Sequence, residues 1–235
     1  MRKPRSVVLV GLGLAFGVAL GLLWVRQKRS PALALKRSIW RRALTNRHSE
    51  RQVDAILRDV DRRYAALLAA GLPYQERALR THMKENILPG LALYQALRDR
   101  YQSRQAALAE TAILFKASTA PLLLPMWVLR LFPDPFPFFK WANRRLMQRD
   151  YLSSAWEVRW VADSRDDFAF NIYRCFYLNV LSAYGAPELT PLFCRTDDWM
   201  MEALPPSIAW QRTRTLGGGD LLCDFRWCRR AAREK

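Results

Sequence analysis

Nineteen consecutive residues, Val7 to Val25, carry no charge, and no later feature limits the chain as strongly. As a helix rising 1.5 Å per residue the run extends about 28 Å, close to the hydrocarbon thickness of a bilayer. Gly13, Gly17 and Gly21 within it make two overlapping GxxxG spacings, through which two copies can pack as a homo-oligomer. A cleaved signal peptide is the competing reading. Against it, the run is longer than a usual h-region, Arg26, Lys28 and Arg29 follow directly, and Ala32-Leu33-Ala34 is a poor cleavage site. The expectation is a basic tail at 1–6 and a single-pass transmembrane anchor over 7–25. Three basic side chains precede the run. Seven follow within twenty residues: Arg26, Lys28, Arg29, Lys36, Arg37, Arg41 and Arg42. The positive-inside rule then places the C-terminal domain in the cytoplasm.

Charge matters here through its placement. The chain carries a formal +17, and residues 1–63 hold fifteen Lys and Arg against four acids. The excess sits beside the apolar run, where anionic lipid headgroups attract it. Membrane lipid is therefore the expected partner, and nucleic acid is not, since no nucleic-acid motif is present. Four cysteines without a disulfide framework fit a reducing compartment.

Behind a basic juxtamembrane segment, 26–48, residues 49–235 read as one α+β domain. Val53, Ile56, Leu57, Val60, Tyr64, Leu67 and Leu68 recur at helical spacing. Ser49 with Gln52 makes a capping box at the start of that helix, and Gly71 and Pro73 stop it. A second helix carries Leu79, Met83, Ile87, Leu91, Tyr94 and Leu97, kinked or split at Pro89-Gly90. A third, rich in Ala, runs from about Ser103 to Lys116. Residues 121–141 then hold Pro121, Pro125, Pro133, Pro135 and Pro137 among six aromatic side chains. The prolines argue against a long regular helix, and Arg130 and Asp134 against a second span. The segment reads as a loop that covers the core or lines a pocket, or as one that dips into the membrane interface.

From Trp156 the apolar period changes from 3.6 to 2. Trp156, Val158 and Trp160, then Phe168, Phe170 and Ile172, predict a hairpin. A short helix from about Cys175 to Tyr184 follows, then another from Thr196 to about Leu204. A final hairpin, Ile208–Thr215 with Leu221–Cys228, turns on Gly217-Gly218-Gly219-Asp220. The fold class is α+β: a transmembrane helix, a helical layer, then an antiparallel sheet in β-β-α-α-β-β order.

All four cysteines fall in the last third. Cys175 follows Arg174 at one predicted helix start, and Cys194 precedes Arg195 just before another. A guanidinium and a helix N-terminus both favour thiolate, so each thiol is a candidate for a lowered pKa; small buried packing residues are the plainer reading. Zinc would need closer ligands than His48 and His82 offer, so no metal and no cofactor are expected. The last strands present Arg212, Arg214, Asp224 and Arg226, and arginine pairs bind carboxylates well. No Ser-His-Asp set, Walker loop, Rossmann fingerprint or HExxH occurs.

Several of these features fall in a fixed order: Arg174-Cys175, Gly185 to Leu189, Cys194 with Asp197, Arg212 to Leu216, and Gly219 to Arg226. That order, over about sixty residues, resembles the C-terminal half of the L-2-amino-thiazoline-4-carboxylic acid hydrolase family. Upstream, ENILPGLALYQAL is similar too. The resemblance implies hydrolytic ring opening of a cyclic isothiourea bearing a carboxylate. It makes Cys175 or Cys194 the attacking or shaping thiol and Asp197 the base or orienting group. Asp220 or Asp224 becomes the second acid/base, and Arg212, Arg214 and Arg226 the candidates to hold the substrate carboxylate. The transmembrane run departs from the soluble enzyme expected of such a family. A membrane-tethered domain that binds a small molecule or signals without turnover remains the alternative.

Overall fold

The structure is a computed structural model that describes residues 31–230 apart from residue 102; the expected anchor at 7–25 lies outside the described residues. The first helix, α1 (Pro31–Thr45), falls inside the stretch read as juxtamembrane. It belongs to the fold, because Leu33, Trp40 and Leu44 form one buried stripe on it. Helix α2 (Glu50–Ala69) starts at the expected capping box and buries Val53, Ile56, Leu57, Val60 and Tyr64. Each such side chain contributes roughly 1.5–3 kcal/mol. Gly71 takes a left-handed φ of 88°, which ends the run.

Helix α3 (Arg77–His82) passes through a π-turn at Met83–Ile87 into α4 (Leu88–Arg98). The split lies just ahead of Pro89, which has no amide proton to give. Nine of the eleven residues of α4 are buried, which makes it the central helix of the layer. Helix α5 (Arg104–Thr119) is capped by Ser103 and continues through a 3₁₀ turn, Ala120–Leu123, into α6 (Leu124–Leu129). The run Arg104–Leu129 is long and apolar enough to cross a membrane by length and composition. However, Glu110 within it is buried against Arg47 and His48, and Thr111, Leu114 and Phe115 pack in the core.

Helix α7 (Phe136–Asp150) corrects the expectation for the proline-rich segment. Pro125 and Pro137 sit in the first turns of α6 and α7, where the missing amide costs nothing and the fixed φ suits a helix. The prolines therefore start helices here.

Four strands follow: β1 (Glu157–Asp163), β2 (Asp167–Arg174), β3 (Ile208–Gln211) and β4 (Cys223–Arg229). They form one antiparallel sheet in the order β1-β2-β4-β3. Trp160 pairs with Phe170, Phe170 with Phe225, and Trp210 with Trp227, so one face is an aromatic layer against the helices. Phe139 of α7 meets that layer with its ring 5.5 Å from Trp227. Between β2 and β3 lie α8 (Phe176–Ala183) and α9 (Thr190–Met201). The second of these begins six residues earlier than expected. Pro191 occupies its first turn, and the Thr196 hydroxyl donates to the Phe193 carbonyl instead of capping. The expected long final hairpin is shorter as well, since residues 212–222 form a loop with a 3₁₀ turn at Leu216–Gly218.

Candidate active site

A cavity of about 260 Å³ lies where α1, the π-turn, α5, α9 and the end of the sheet meet. Strand alternation selects what the sheet contributes. Ile172, Cys223 and Phe225 fall on the inner face and line the cavity. Asp224, Arg226 and Cys228 fall on the outer face, and none of them lines it.

Helix α9 supplies Thr190, Phe193, Cys194, Thr196, Asp197 and Met200, spaced three and four apart along one helical face. Asp197 Oδ2 accepts from Arg212 Nη1 at 3.0 Å, and Asp198 Oδ2 accepts from Nη2 at 2.6 Å. The same Nη2 also donates to the Cys194 carbonyl at 2.7 Å. Arg212 is 3% exposed and lies over the Trp210 and Phe225 rings at 5.6 and 5.3 Å. It is thus an anchored cation, its fork occupied by protein carboxylates.

Asp197 is 31% exposed, and that access is to the cavity. Burial pushes its carboxyl up to about 6; Arg212 opposes this and the Asp198 charge adds to it. Among the described residues, Asp197 Oδ1 takes no hydrogen bond, so a carboxylate near neutrality has one oxygen open to a bound water or substrate.

The thiols correct the expectation of a lowered pKa. Burial is the largest effect on each, and it raises Cys175 to about 11, Cys194 to about 12 and Cys223 to about 11. The Arg174 guanidinium is turned away to the Ser153 carbonyl, and that of Arg195 lies over Trp199. Cys175 does stand at the N-cap position of α8, where the Leu178 and Tyr177 amides favour its thiolate, but desolvation outweighs them. Cys194 sits in the second turn of α9, not ahead of it, and so lacks free helix-end amides.

Other proposed groups serve the loop that frames the site. Asp224 Oδ1 accepts from the Thr213 and Arg214 amides and its Oδ2 from the Thr213 hydroxyl, and Arg214 Nε forms an ion pair with Oδ2 at 3.5 Å. Asp220 accepts from the Thr215 amide at 2.8 Å. Arg226 pairs with Asp167 on the outer face. The structure thus brings Cys175, Cys194, Asp197 and Arg212 together at the cavity, and leaves Asp220, Asp224, Arg214 and Arg226 out of its lining.

Several polar side chains lining the cavity were not expected there from sequence. Lys36 donates to Asn86 Oδ1 at 3.1 Å and to the Glu85 carbonyl, and burial lowers it to about 8. His82 Nδ1 lies 2.9 Å from the Tyr177 hydroxyl, and burial lowers its pKa, so the ring is neutral near pH 7. Tyr177, held well above its usual value by burial, keeps its proton. The Thr190 hydroxyl is fully buried at the cavity wall and has no hydrogen-bond partner among the described residues. An unsatisfied buried hydroxyl costs about 1–3 kcal/mol, so a ligand or water that pairs with it gains that contact.

A family model described as L-2-amino-thiazoline-4-carboxylic acid hydrolase matches residues 80–227. The chain belongs to this family. No curated protein and no solved structure matches it. The family match spans α3 to β4 and so includes every cavity residue except Lys36 and Trp40, which α1 adds from outside the matched region.

Proposed function

We propose that the protein is a membrane-anchored hydrolase that opens the ring of 2-amino-thiazoline-4-carboxylate or a related cyclic C=N substrate. The observation that carries this reading is Asp197: a carboxyl near neutrality, tied to a buried arginine, facing a cavity among protonated thiols. Its value is close to what a general base needs at physiological pH.

In the reaction a water adds to C2 of the ring. Asp197 takes a proton from that water and passes it to the ring nitrogen, leaving a hydroxyl on C2. The C2–S bond then breaks as that hydroxyl becomes a carbonyl, and its proton ends on the departing sulfur as a thiol, giving an N-carbamoyl-cysteine. Arg212 keeps Asp197 in place and limits how far its pKa rises. Among the described residues Lys36 is the cavity cation without a carboxylate ion pair, which favours it over Arg212, Arg214 or Arg226 as the partner of the substrate carboxylate. The raised thiol values favour attack by activated water over attack by cysteine.

The anchor over 7–25, the cytoplasmic placement of the domain and pairing through the GxxxG spacings are part of this proposal and rest on sequence alone. A tethered binding domain without turnover is the second reading, supported by the protonated thiols and the occupied fork of Arg212.

Replacing Cys175, Cys194 and Asp197 in turn, with turnover measured on the thiazoline, separates the readings. Loss of about 10²–10⁴ in rate with Asp197→Asn and modest loss with either cysteine change supports water attack. Loss on the cysteine changes alone supports a covalent thiol. Binding without turnover by the unaltered protein supports the tethered binding domain.

A further inference from the structure

Of the residues lining the cavity, Leu122 alone is exposed, at 51%, which marks the mouth. From there the chain runs into exposed apolar surface. Leu124, Trp127, Val128 and Leu131 stand out from α6 and its end, Leu131 at 81% exposure. Phe132 stacks at 5.1 Å on Phe138, which meets Trp141 at 5.5 Å. A patch of this kind marks an interaction site, and a ring of charge decides with what. No acidic residue lies between Glu110 and Asp134, while Lys116 and Arg130 do. Beyond Trp141 a surface crevice is lined by Lys140, Arg144, Arg165 and Arg229; Lys140 and Arg144 share Asp163 and Arg229 pairs with Asp134, so the lining keeps an excess of positive charge. Aromatic and aliphatic side chains rimmed by cations suit the headgroup boundary of an anionic bilayer.

The direction of α1 supports the same occupant. Arg47 and His48 meet Glu110, Trp40 Nε1 donates to Ser118 at 2.8 Å, and Lys36 lines the cavity with Leu122. Helix α1 therefore runs antiparallel to α5, and its start points to the end of α5 from which α6 continues. Only residues 26–30 separate Pro31 from the apolar run that ends at Val25. Five residues span at most about 17 Å. The described chain thus begins at the end of the domain that carries the exposed patch.

We propose that the surface from Leu122 to Trp141 seats the domain on an anionic phospholipid bilayer, with the cavity mouth turned to the headgroup layer. The seating goes beyond the anchor and does not depend on turnover.

The test uses the full-length chain in vesicles of phosphatidylcholine and phosphatidylglycerol that carry a diazirine-bearing phosphatidylcholine. Illumination is followed by peptide mapping. Label on peptides within 122–141 is expected. It should fall by more than about tenfold in the double variant Trp127→Glu, Leu131→Glu, since two apolar contacts are exchanged for charges. Both side chains are exposed, so an unchanged melting temperature checks that the variant folds. Label confined to residues 7–25 keeps the anchor and overturns the seating. Label within 122–141 but none in 7–25 keeps the seating and overturns the anchor. Cross-links between 122–141 of two copies, without lipid label there, assign the face to self-association and also overturn it.

Discussion

Asp197 holds the most consequential balance at the scale of single residues. Its folded value, about 6, lies above the ordinary 3.8, so folding favours the protonated form. The group therefore destabilises the fold above about pH 6 and stops doing so as pH falls towards 4. The unaltered protein should gain about 1–2 kcal/mol on Asp197→Asn between pH 7 and about pH 4, read from denaturant midpoints of both proteins. A constant difference across that range would mean the carboxyl is not desolvated. The thiols give a second prediction. With pKa values near 11 or 12, Cys175, Cys194 and Cys223 should react with iodoacetamide at pH 7 more than about a hundredfold slower than free cysteine. Mass mapping that finds any of the three modified at the free rate would refute the burial argument. Residue types and order made Asp197 and its cysteines legible in sequence. Burial was not legible, and it reverses the direction of the thiol shifts. Strand alternation could have removed Asp224 and Arg226, since they sit one residue from the inward-facing Cys223, Phe225 and Trp227. Lys36 gave no such signal, because beside an apolar run it reads as one more headgroup cation.

At the scale of elements, glycine fixes how closely three helices pass. A Cβ on Gly90 of α4 would lie 2.7 Å from ring carbons of Phe115 on α5 and Phe193 on α9. Gly90→Ala should cost about 1–3 kcal/mol in a thermal or denaturant melt, and push two rings into the cavity. An unchanged melt would show that the rings can turn aside freely. Gly217 plays the same part from the loop, where a Cβ would meet Cys194 Sγ and Thr190 Cγ2 at 2.9 Å. The helices were legible by period and capping, Ser49 with Gln52 most clearly. The start of α9 was not, because Thr196-Asp197-Asp198 imitates an N-terminus while Pro191 marks the true one. The aspartates turn to Arg212, a partner fifteen residues beyond Asp197 and fourteen beyond Asp198 that local pattern does not reveal.

For the whole molecule, sequence order gave helices before an antiparallel sheet, whereas closure of a cavity between them depends on contacts far apart in the chain. Lys36 with Asn86, His82 with Tyr177 and Asp197 with Arg212 each join segments that no short motif links. A chain anchored over 7–25 should stay with membranes through alkaline carbonate extraction, and a chain lacking residues 1–25 should be released; release of both would contradict the anchor. The central claim is that a near-neutral carboxyl in this cavity activates water. The most direct test is the pH dependence of kcat/KM for 2-amino-thiazoline-4-carboxylate, with the unaltered protein beside Asp197→Asn. The expected result is a rate that rises through about pH 6 and falls again above about pH 8 as Lys36 loses its proton, with the rising limb absent and the rate reduced by about 10²–10⁴ in the variant. An unaltered rate in Asp197→Asn, or a profile that first rises near the thiol values of 11 to 12, would contradict it.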